Sequence, residues 1–219
     1  MLPRDGTRGA EPDSAFANSC NGAFAEIGMQ INSEKFRALA NQMLFNSELP
    51  YTLPYNQSTF SLDGSSDDWE KLQTAIGQGK TQITPLHNLM IVSAIANGGT
   101  LMKPYMIDHV ENVGGQTVKK FLPSAYGTLM SANDAQFLTH LMSQVMRCTG
   151  SAMRGQSYTV AGKTGSAEFE TGKETHSWFV GSSSGRQAEG GDLRAGRRVW
   201  FRRCGRCADR KTGAGSVFC

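Results

Sequence analysis

Apolar side chains in the first part of the chain recur at the 3.6-residue spacing of amphipathic helices. Phe16, Phe24 and Ile27 fall on one predicted helix, which polar residues would cap at its start. Residues 34–45 repeat the same spacing and predict a second amphipathic helix. Residues 46–68, which are rich in Pro, Ser, Asn, Asp and Gly, predict a long loop.

A central helix is predicted by several independent signals. Thr84 followed by Pro85 is typical of a helix start, because a threonine side chain caps the first turn and proline fits the first helical position. The next twelve residues (LHNLMIVSAIAN) are apolar nearly all round, and Gly98 and Gly99 follow as a stop signal. A helix without a polar face must be buried, so we expect this one at the centre of the core.

The rest of the chain predicts two hairpins and one further helix. Residues 104–121 predict a β-hairpin around a Gly-Gly pair, and residues 157–181 predict another around a Thr-Gly-Lys turn. Between the hairpins, Ser131 and Asp134 begin a helix with apolar residues at helical spacing. Helices followed by a last hairpin favour the α+β class, with helices packed on an antiparallel sheet.

Composition divides the chain near residue 181. Up to that point the chain carries 13 Lys and Arg against 16 Asp and Glu, whereas residues 182–219 carry 9 against 3. This tail is rich in Arg, Gly and Cys and follows neither the helical nor the strand period, so we expect it to be disordered. We therefore divide the chain into an uninformative start (1–13), a domain (14–181) and a tail (182–219).

The sequence also argues against several classes of function. The longest uncharged run, residues 81–102, is too polar to cross a membrane, and the first 13 residues lack an apolar signal. We therefore expect no membrane segment and no export signal. The tail has no recognisable nucleic-acid-binding module, so no nucleic-acid partner is expected. Cys204, Cys207 and Cys219 are too few for a four-ligand zinc site, and we expect neither a metal nor a cofactor.

Two short motifs are candidates for chemistry. Ser19 and Asn21 form a Ser-x-Asn at the start of a predicted helical stretch, and Lys163, Thr164 and Gly165 form a Lys-Thr-Gly on a predicted strand. Taken alone, a Ser-x-Asn is typical of a helix cap, and a Lys-Thr-Gly often occurs by chance. In this order, about 140 residues apart, they match two of the three signatures of serine acyl transferases of the penicillin-binding group.

The text around both motifs resembles the transpeptidase domain of bacterial penicillin-binding proteins, most nearly the class B type. The resemblance covers residues 14–181 and is carried by FANSCNGAFAEIG, GQGKTQITPLHNLMIVSAIANGGTLMKPY and AGKTGSAEFETGKETHSWFVG. The middle segment contributes the most specific features, namely Gly77-Gln78-Gly79, Thr84-Pro85 and Asn97-Gly98-Gly99. It implies a partial penicillin-binding protein/β-lactamase-like fold, in which a five-stranded antiparallel sheet with helices on both faces has lost some strands.

The resemblance also implies catalytic roles in peptidoglycan biosynthesis, where a serine attacks an amide carbonyl and the acyl group is then transferred. Ser19 would relay a proton to the leaving amine, and Asn21 would hold the substrate's amide. Lys163 would supply a positive field beside the reacting groups.

The implied substrate-binding residues follow Lys163 on the strand. Thr164 would bind the terminal carboxylate of a D-Ala-D-Ala stem peptide of the cell wall, or of a β-lactam. The backbone N–H of Ser166, which stands where the family often has Thr, would donate to the developing oxyanion, and Gly165 lies between the two.

One signature of the family is missing. Its nucleophile lies in a Ser-x-x-Lys upstream of Ser-x-Asn, and no serine among the 219 residues is followed by Lys three positions later. We interpret the chain as a truncated part of a penicillin-binding D,D-transpeptidase, and we predict that it is inactive. Two alternatives stay open: a non-catalytic pseudogene remnant, and a β-lactamase-related or β-lactam-sensing fragment, which the middle segment disfavours.

The tail departs from the family as well, because an Arg/Gly/Cys-rich string replaces an apolar strand and a closing helix. One codon choice for residues 192–212, read one nucleotide out of register, encodes an apolar, Gly-rich peptide, and we hypothesise a frameshift near Gly190 to Asp192. Without the replaced strand, the hairpin that carries Lys163 is expected to have unpaired edges. The resemblance places the parent protein on the outer face of the bacterial plasma membrane, while the location of this chain stays open.

Overall fold

A computed structural model describes residues 12–148, 159–168, 176–184 and 197–204. The helices within these ranges are α1 (Pro12–Ala17), α2 (Asn21–Gln30), α3 (Ser33–Gln42), α4 (Asp68–Ala75), α5 (Pro85–Ala96) and α6 (Ala132–Cys148). The strands are β1 (Thr100–Met102), β2 (His109–Glu111), β3 (Thr117–Lys120), β4 (Ala125–Thr128), β5 (Thr159–Ala167), β6 (His176–Ser184) and β7 (Arg197–Cys204). No helix among the described residues is long and apolar enough to span a bilayer.

The predicted central helix is confirmed as α5. The Thr84 side chain accepts a hydrogen bond from the backbone N–H of His87 at 3.2 Å, and Pro85 occupies the first turn. The main hydrophobic cluster includes buried residues of α5 together with others from β1, α6 and β5, among them Leu89, Met90, Val92, Leu101, Met142 and Ala161. The helix therefore lies at the centre of the core, as its apolar sequence predicts.

A buried histidine ties α5 to the end of α3. His87 is fully buried, and its Nε2 lies 2.7 Å from the carbonyl oxygen of Met43. Because a carbonyl only accepts, Nε2 must carry the proton and donate it. The Nδ1 atom is buried without a partner among the described residues. Burial lowers the pKa of His87, so the ring is neutral in the folded protein.

The sheet of the α+β fold is antiparallel and has the described strand order β5-β6-β7. The strand pairing of the predicted second hairpin is confirmed by β5 and β6, with Lys163 opposite Val180 and Thr164 opposite Phe179. Its predicted Thr-Gly-Lys turn lies outside the described residues. Helix α6 packs against β5, while α5 packs against β6 and β7. The predicted start of α6 is also confirmed, since the Ser131 hydroxyl accepts from the Asp134 backbone N–H at 3.1 Å. Two small antiparallel pairs, β1-β4 and β2-β3, complete the described strands.

The expectation that the tail contains no packed element is wrong for β7. This strand pairs with β6 over eight residues, from Ser177 opposite Cys204 to Ser184 opposite Arg197. The sequence of β7 (RRVWFRRC) shows no alternation of apolar and polar residues, but its ladder is made by backbone N–H and C=O groups and forms without that signal. The edge of β6 is therefore paired, contrary to the expectation of unpaired edges on both sides of the hairpin. The division of the chain at residue 181 and the frameshift stay predictions, and the remaining tail lies outside the described residues.

The helical pattern near the N-terminus also needs correction. The single helix predicted around Phe16 and Phe24 is two helices, α1 and α2, separated by a turn at Ser19. Helix α4 was not predicted, although the Asp67 carboxylate caps it by accepting from the Glu70 backbone N–H at 2.8 Å. Its sequence lacks a clear apolar face. The predicted loop before α4 and the hairpin of β2 and β3 are confirmed, although these two strands are short and exposed.

Helices α2 and α4 pack closely through a glycine. A Cβ atom built on Gly28 would lie 2.1 Å from the Cβ of Ala75, a distance that real side chains do not reach. For Gly22, on the same helix, no atom of the described residues lies within 4 Å of a Cβ built in the same way. Both glycines therefore lie on the same helix, but only Gly28 lacks room for a methyl group.

We predict that Gly28→Ala destabilises the chain by about 1–3 kcal/mol, because α2 must move away from α4. The matched control Gly22→Ala adds the same methyl group to a helix in open space, so its effect should range from neutral to a gain of about 1 kcal/mol. Chemical denaturation of the two variants and the parent checks this. Equal midpoints for the two variants would contradict the close packing.

We also predict that the buried His87 makes stability depend on pH. Its pKa is lowered in the folded state, so the unfolded chain binds the extra proton first as the pH falls below about 6.5. The free energy of unfolding should be highest above that pH and should decrease as the pH falls towards the lowered pKa of the folded state. In His87→Gln, which keeps an N–H donor for Met43, this loss should disappear. The control is His109→Gln, since His109 is solvent-exposed and its pKa is raised by Asp108 and Glu111. Denaturation at pH 7.5 and 5.5 should show that the His109→Gln variant still loses stability at the lower pH.

Candidate active site

Ser19 lies at a helix end with an uncommon backbone conformation. The Ser19 N–H donates to the Phe16 carbonyl at 3.2 Å and the Cys20 N–H to the Ala15 carbonyl at 2.9 Å. These two bonds form the Schellman arrangement that closes a helix and calls for a left-handed residue, usually glycine. Ser19 occupies that position with φ +52°, and its side chain is exposed. The turn therefore presents a hydroxyl where the helix end alone favours glycine.

The hydroxyl of Ser19 is not a helix cap. Cys20 is the residue that precedes α2, and the start of α2 has no side-chain capping bond. The Ser19 Oγ instead accepts a hydrogen bond from Nζ of Lys163, a residue 144 positions further along the chain. The structural explanation of the Ser-x-Asn motif, capping, is thereby excluded, and the two motifs of the sequence meet in space.

Lys163 lies on β5 in an environment that disfavours its charge. Its side chain is half-buried, and Nζ also donates to the Thr164 carbonyl at 2.8 Å. The amine lies 5.8 Å from the centre of the Phe16 ring, a cation–π distance. Burial lowers the pKa of Lys163. Among the described residues, no carboxylate lies within ion-pair distance of Nζ.

Asn21 lies next to this contact without joining it. It is the first residue of α2 and its side chain is exposed. It makes no hydrogen bond to Ser19 or Lys163. The structure therefore places Asn21 two residues from the Ser19 hydroxyl, accessible from solvent.

The strand residues after Lys163 form an exposed edge. Thr164, Gly165 and Ser166 are all exposed on β5. A Cβ built on Gly165 would make only an ordinary 3.9 Å contact with Trp178, whereas one on Gly162 would lie 2.7 Å from the Phe179 ring. The fold thus requires a glycine at 162 but not at 165. The open space over Gly165 is available to a ligand.

Two residues at the site were not predicted as site residues. Phe16 lies under the Lys163 amine, and it was expected only as part of a helix core. Gln78 reaches across to β5, where its Nε2 donates to the Ser166 carbonyl at 3.0 Å. Its place between two glycines indicates a tight turn, because glycine adopts left-handed backbone conformations readily, but it does not indicate the contact with β5.

The described residues include no group of three or more His, Cys, Asp or Glu side chains that could hold a metal ion. The cysteines weighed as zinc ligands lie outside the part whose side chains are described. The contacts at the site come from a hydroxyl, an amine, an amide and backbone groups. Such a site can bind an anionic group and move a proton between hydroxyl and amine.

Comparison with known proteins shows the family to which the chain is similar. A sequence model described as "Penicillin binding protein transpeptidase domain" matches residues 3–187. Peptidoglycan D,D-transpeptidase PbpA of Mycolicibacterium smegmatis is 31% identical over 170 residues, which are 76% of this chain and 34% of that protein. Stage V sporulation protein D of Bacillus subtilis is 33% identical over 155 residues, 69% of this chain and 24% of that protein. The chain therefore spans about a third or less of the length of these relatives.

Solved structures give the same result. Penicillin-binding protein A from M. tuberculosis, determined as an imipenem acyl-enzyme complex, matches with a TM-score of 0.73 and 26% identity, over 83% of this chain and 41% of that one. The D,D-transpeptidase domain of a peptidoglycan glycosyltransferase from Eggerthella lenta matches with a TM-score of 0.71 and 30% identity, over 78% and 44%. The chain belongs to the penicillin-binding protein transpeptidase family.

Proposed function

We propose that the chain forms the binding side of a D,D-transpeptidase site, which takes the D-Ala-D-Ala end of a peptidoglycan stem peptide or a β-lactam. The observation that carries this proposal is the hydrogen bond from Lys163 Nζ to Ser19 Oγ, which joins the two motifs across 144 residues. The ligand would lie between the α1–α2 turn and the exposed edge of β5.

The proposed roles follow from the chemistry of each group. A hydroxyl that accepts from an amine keeps its own proton available, so Ser19 could pass that proton to a leaving amine while Lys163 replaces it. The lowered pKa of Lys163 makes this exchange easier at neutral pH. The exposed side chain of Asn21 would bind the amide of the substrate.

The strand edge would bind the other end of the ligand. The exposed hydroxyl of Thr164 and the positive field of Lys163 would hold the terminal carboxylate, as Gly165 leaves space above the strand. The Ser166 N–H would donate to an oxygen that becomes negative during acyl transfer. β-Lactams are proposed for the same place because structural relatives were solved as acyl-enzymes with imipenem and penicillin G.

We further propose that these 219 residues alone do not form an acyl-enzyme. The sequence contains no Ser-x-x-Lys, and removal of a nucleophilic serine costs on the order of a millionfold in rate where it has been measured. Reversible binding needs no nucleophile and distinguishes a binding-competent site from a pseudogene remnant. The location proposed for the parent protein is the outer face of the plasma membrane, where cross-linking of peptidoglycan takes place.

The first test is incubation of the chain with fluorescent penicillin, followed by denaturing gel electrophoresis. We predict no covalent band, because no nucleophile of the family is present. Titration with a D-Ala-D-Ala-terminated tripeptide, followed by NMR, should nevertheless shift the amide signals of β5. A covalent band would contradict the inactivity, and an absence of shifts would favour the remnant. A D-Ala-L-Ala tripeptide is the control for stereospecific binding.

The second test separates the strain of Ser19 from its function. Ser19→Gly removes the hydroxyl and the steric cost of the left-handed conformation, which glycine adopts freely, so we predict a gain in stability of about 0.5–1 kcal/mol. Ser19→Ala removes the hydroxyl but keeps the strained backbone, so no such gain is expected. Both variants should bind the tripeptide more weakly than the parent. Tripeptide binding unchanged in both would remove Ser19 from the site, whatever the melting temperatures.

A further inference from the structure

The Gln78 side chain makes two contacts with the exposed end of β5. Its Nε2 donates to the Ser166 carbonyl at 3.0 Å, and its Oε1 accepts from the Glu168 backbone N–H at 3.4 Å. The second contact is the longer and weaker one. Gln78 lies 88 and 90 residues away from these partners in the sequence, so the contacts connect separate parts of the fold.

The backbone on both sides of Gln78 fixes where its side chain points. The Gly77 N–H donates to the Thr74 carbonyl at 3.0 Å, and the Gln78 N–H donates to the Gln73 carbonyl at 2.8 Å. Helix α4 therefore ends in a Schellman arrangement. Gly77 and Gly79 have φ +77° and +82°, both left-handed. Because L side chains rarely adopt this conformation, the two glycines permit a loop that presents Gln78 to β5.

The carboxamide of Gln78 occupies the place of a peptide group from a neighbouring strand. In a β-strand, the C=O of one residue and the N–H of the residue two positions later face the same edge. Ser166 and Glu168 stand in that relation, and Gln78 supplies one donor and one acceptor to them. The other edge of β5 pairs with β6. Gln78 thereby closes the end of the exposed edge.

This closure determines which backbone groups stay available. The Thr164 carbonyl is occupied by Lys163 Nζ at 2.8 Å, and the Ser166 carbonyl is occupied by Gln78. The N–H and C=O of one strand residue face the same edge, so the Ser166 N–H lies between these two occupied acceptors. It is a donor that this edge can present to a ligand between the two occupied carbonyls.

We propose that Gln78 is a positioning residue, which fixes the direction of the Ser166 N–H and limits an extended ligand to the edge between Thr164 and Ser166. This inference rests on the proposed function, because the ligand is the one proposed there. Gln78 does not touch the reacting atoms; it acts through the strand.

Three variants test the proposal in the full chain. Gln78→Ala removes both contacts with β5. Gln78→Glu keeps the acceptor for the Glu168 N–H, loses the donor to the Ser166 carbonyl and adds a negative charge near the proposed carboxylate site. Gln82→Ala is the matched control, because its exposed side chain has no described partner and its backbone pairing with Thr59 does not depend on it.

Two measurements are made on each variant, namely amide hydrogen exchange with ¹⁵N shifts at Ser166 and Glu168, and titration with the D-Ala-D-Ala tripeptide. In Gln78→Ala we expect exchange at Glu168 to be about tenfold faster and the Ser166 signal to move, at an unchanged melting temperature. Binding should be about tenfold weaker. In Gln78→Glu, Glu168 should stay protected while binding is weaker still. Gln82→Ala should match the parent in both measurements.

The results separate this inference from the proposed function. An unchanged Ser166 signal and unchanged exchange at Glu168 in Gln78→Ala would overturn the positioning role, whether or not a ligand binds. Equal tripeptide affinity for Gln78→Ala and the parent would overturn it as well. Failure of the parent to bind the tripeptide would instead refute the proposed function, and the exchange and shift data would still decide whether Gln78 fixes the strand edge.

Discussion

The candidate site depends on burial of one face of α6. This helix packs against β5, which carries Lys163, and against α1, which ends in the turn that carries Ser19. Val145 and Met142 of α6 are buried. On the same helix, Nε2 of His140 lies 2.6 Å from Oδ1 of Asp13 in α1. The hydrophobic effect holds α6 in the core, and α6 in turn holds together two segments that are 144 residues apart.

Two helix ends with the same hydrogen bonds show how the site differs from an ordinary turn. Helix α4 ends with Gly77 in the left-handed position, the residue that this geometry favours. Helix α1 ends with the same pair of bonds but has Ser19 there. A serine at this position is less favourable than glycine because its Cβ strains the left-handed backbone. Its hydroxyl accepts a hydrogen bond from Lys163. Strain that coincides with a contact between two motifs is typical of functional sites.

Elements whose local signals agree with their burial were predictable from the sequence. α5 is the main example, because the cap at Thr84 marks its start and its nearly all-round apolar surface requires burial. α4 was not predictable, since Trp69 is 67% exposed and the helix packs through a glycine of another helix. β7 was missed because its own sequence lacks the alternation of apolar and polar residues that marks a strand, although its backbone pairs with β6. At the site, the motifs indicated Ser19 and Lys163, but the contact of Gln78 with β5 depends on tertiary distance, which no sequence spacing encodes.

The electrostatic setting of Lys163 distinguishes it from a lysine that only stabilises the fold. Lys80 is solvent-exposed and pairs with Glu70, which raises its pKa and keeps its charge neutralised by a partner. Lys163 is half-buried, and burial lowers its pKa. Its hydrogen-bond partners among the described residues are a hydroxyl and a carbonyl. A half-buried amine that has no carboxylate partner among the described residues costs free energy that a purely stabilising role would avoid. The carboxylate of the proposed ligand would compensate that cost, so this arrangement would favour an anionic ligand.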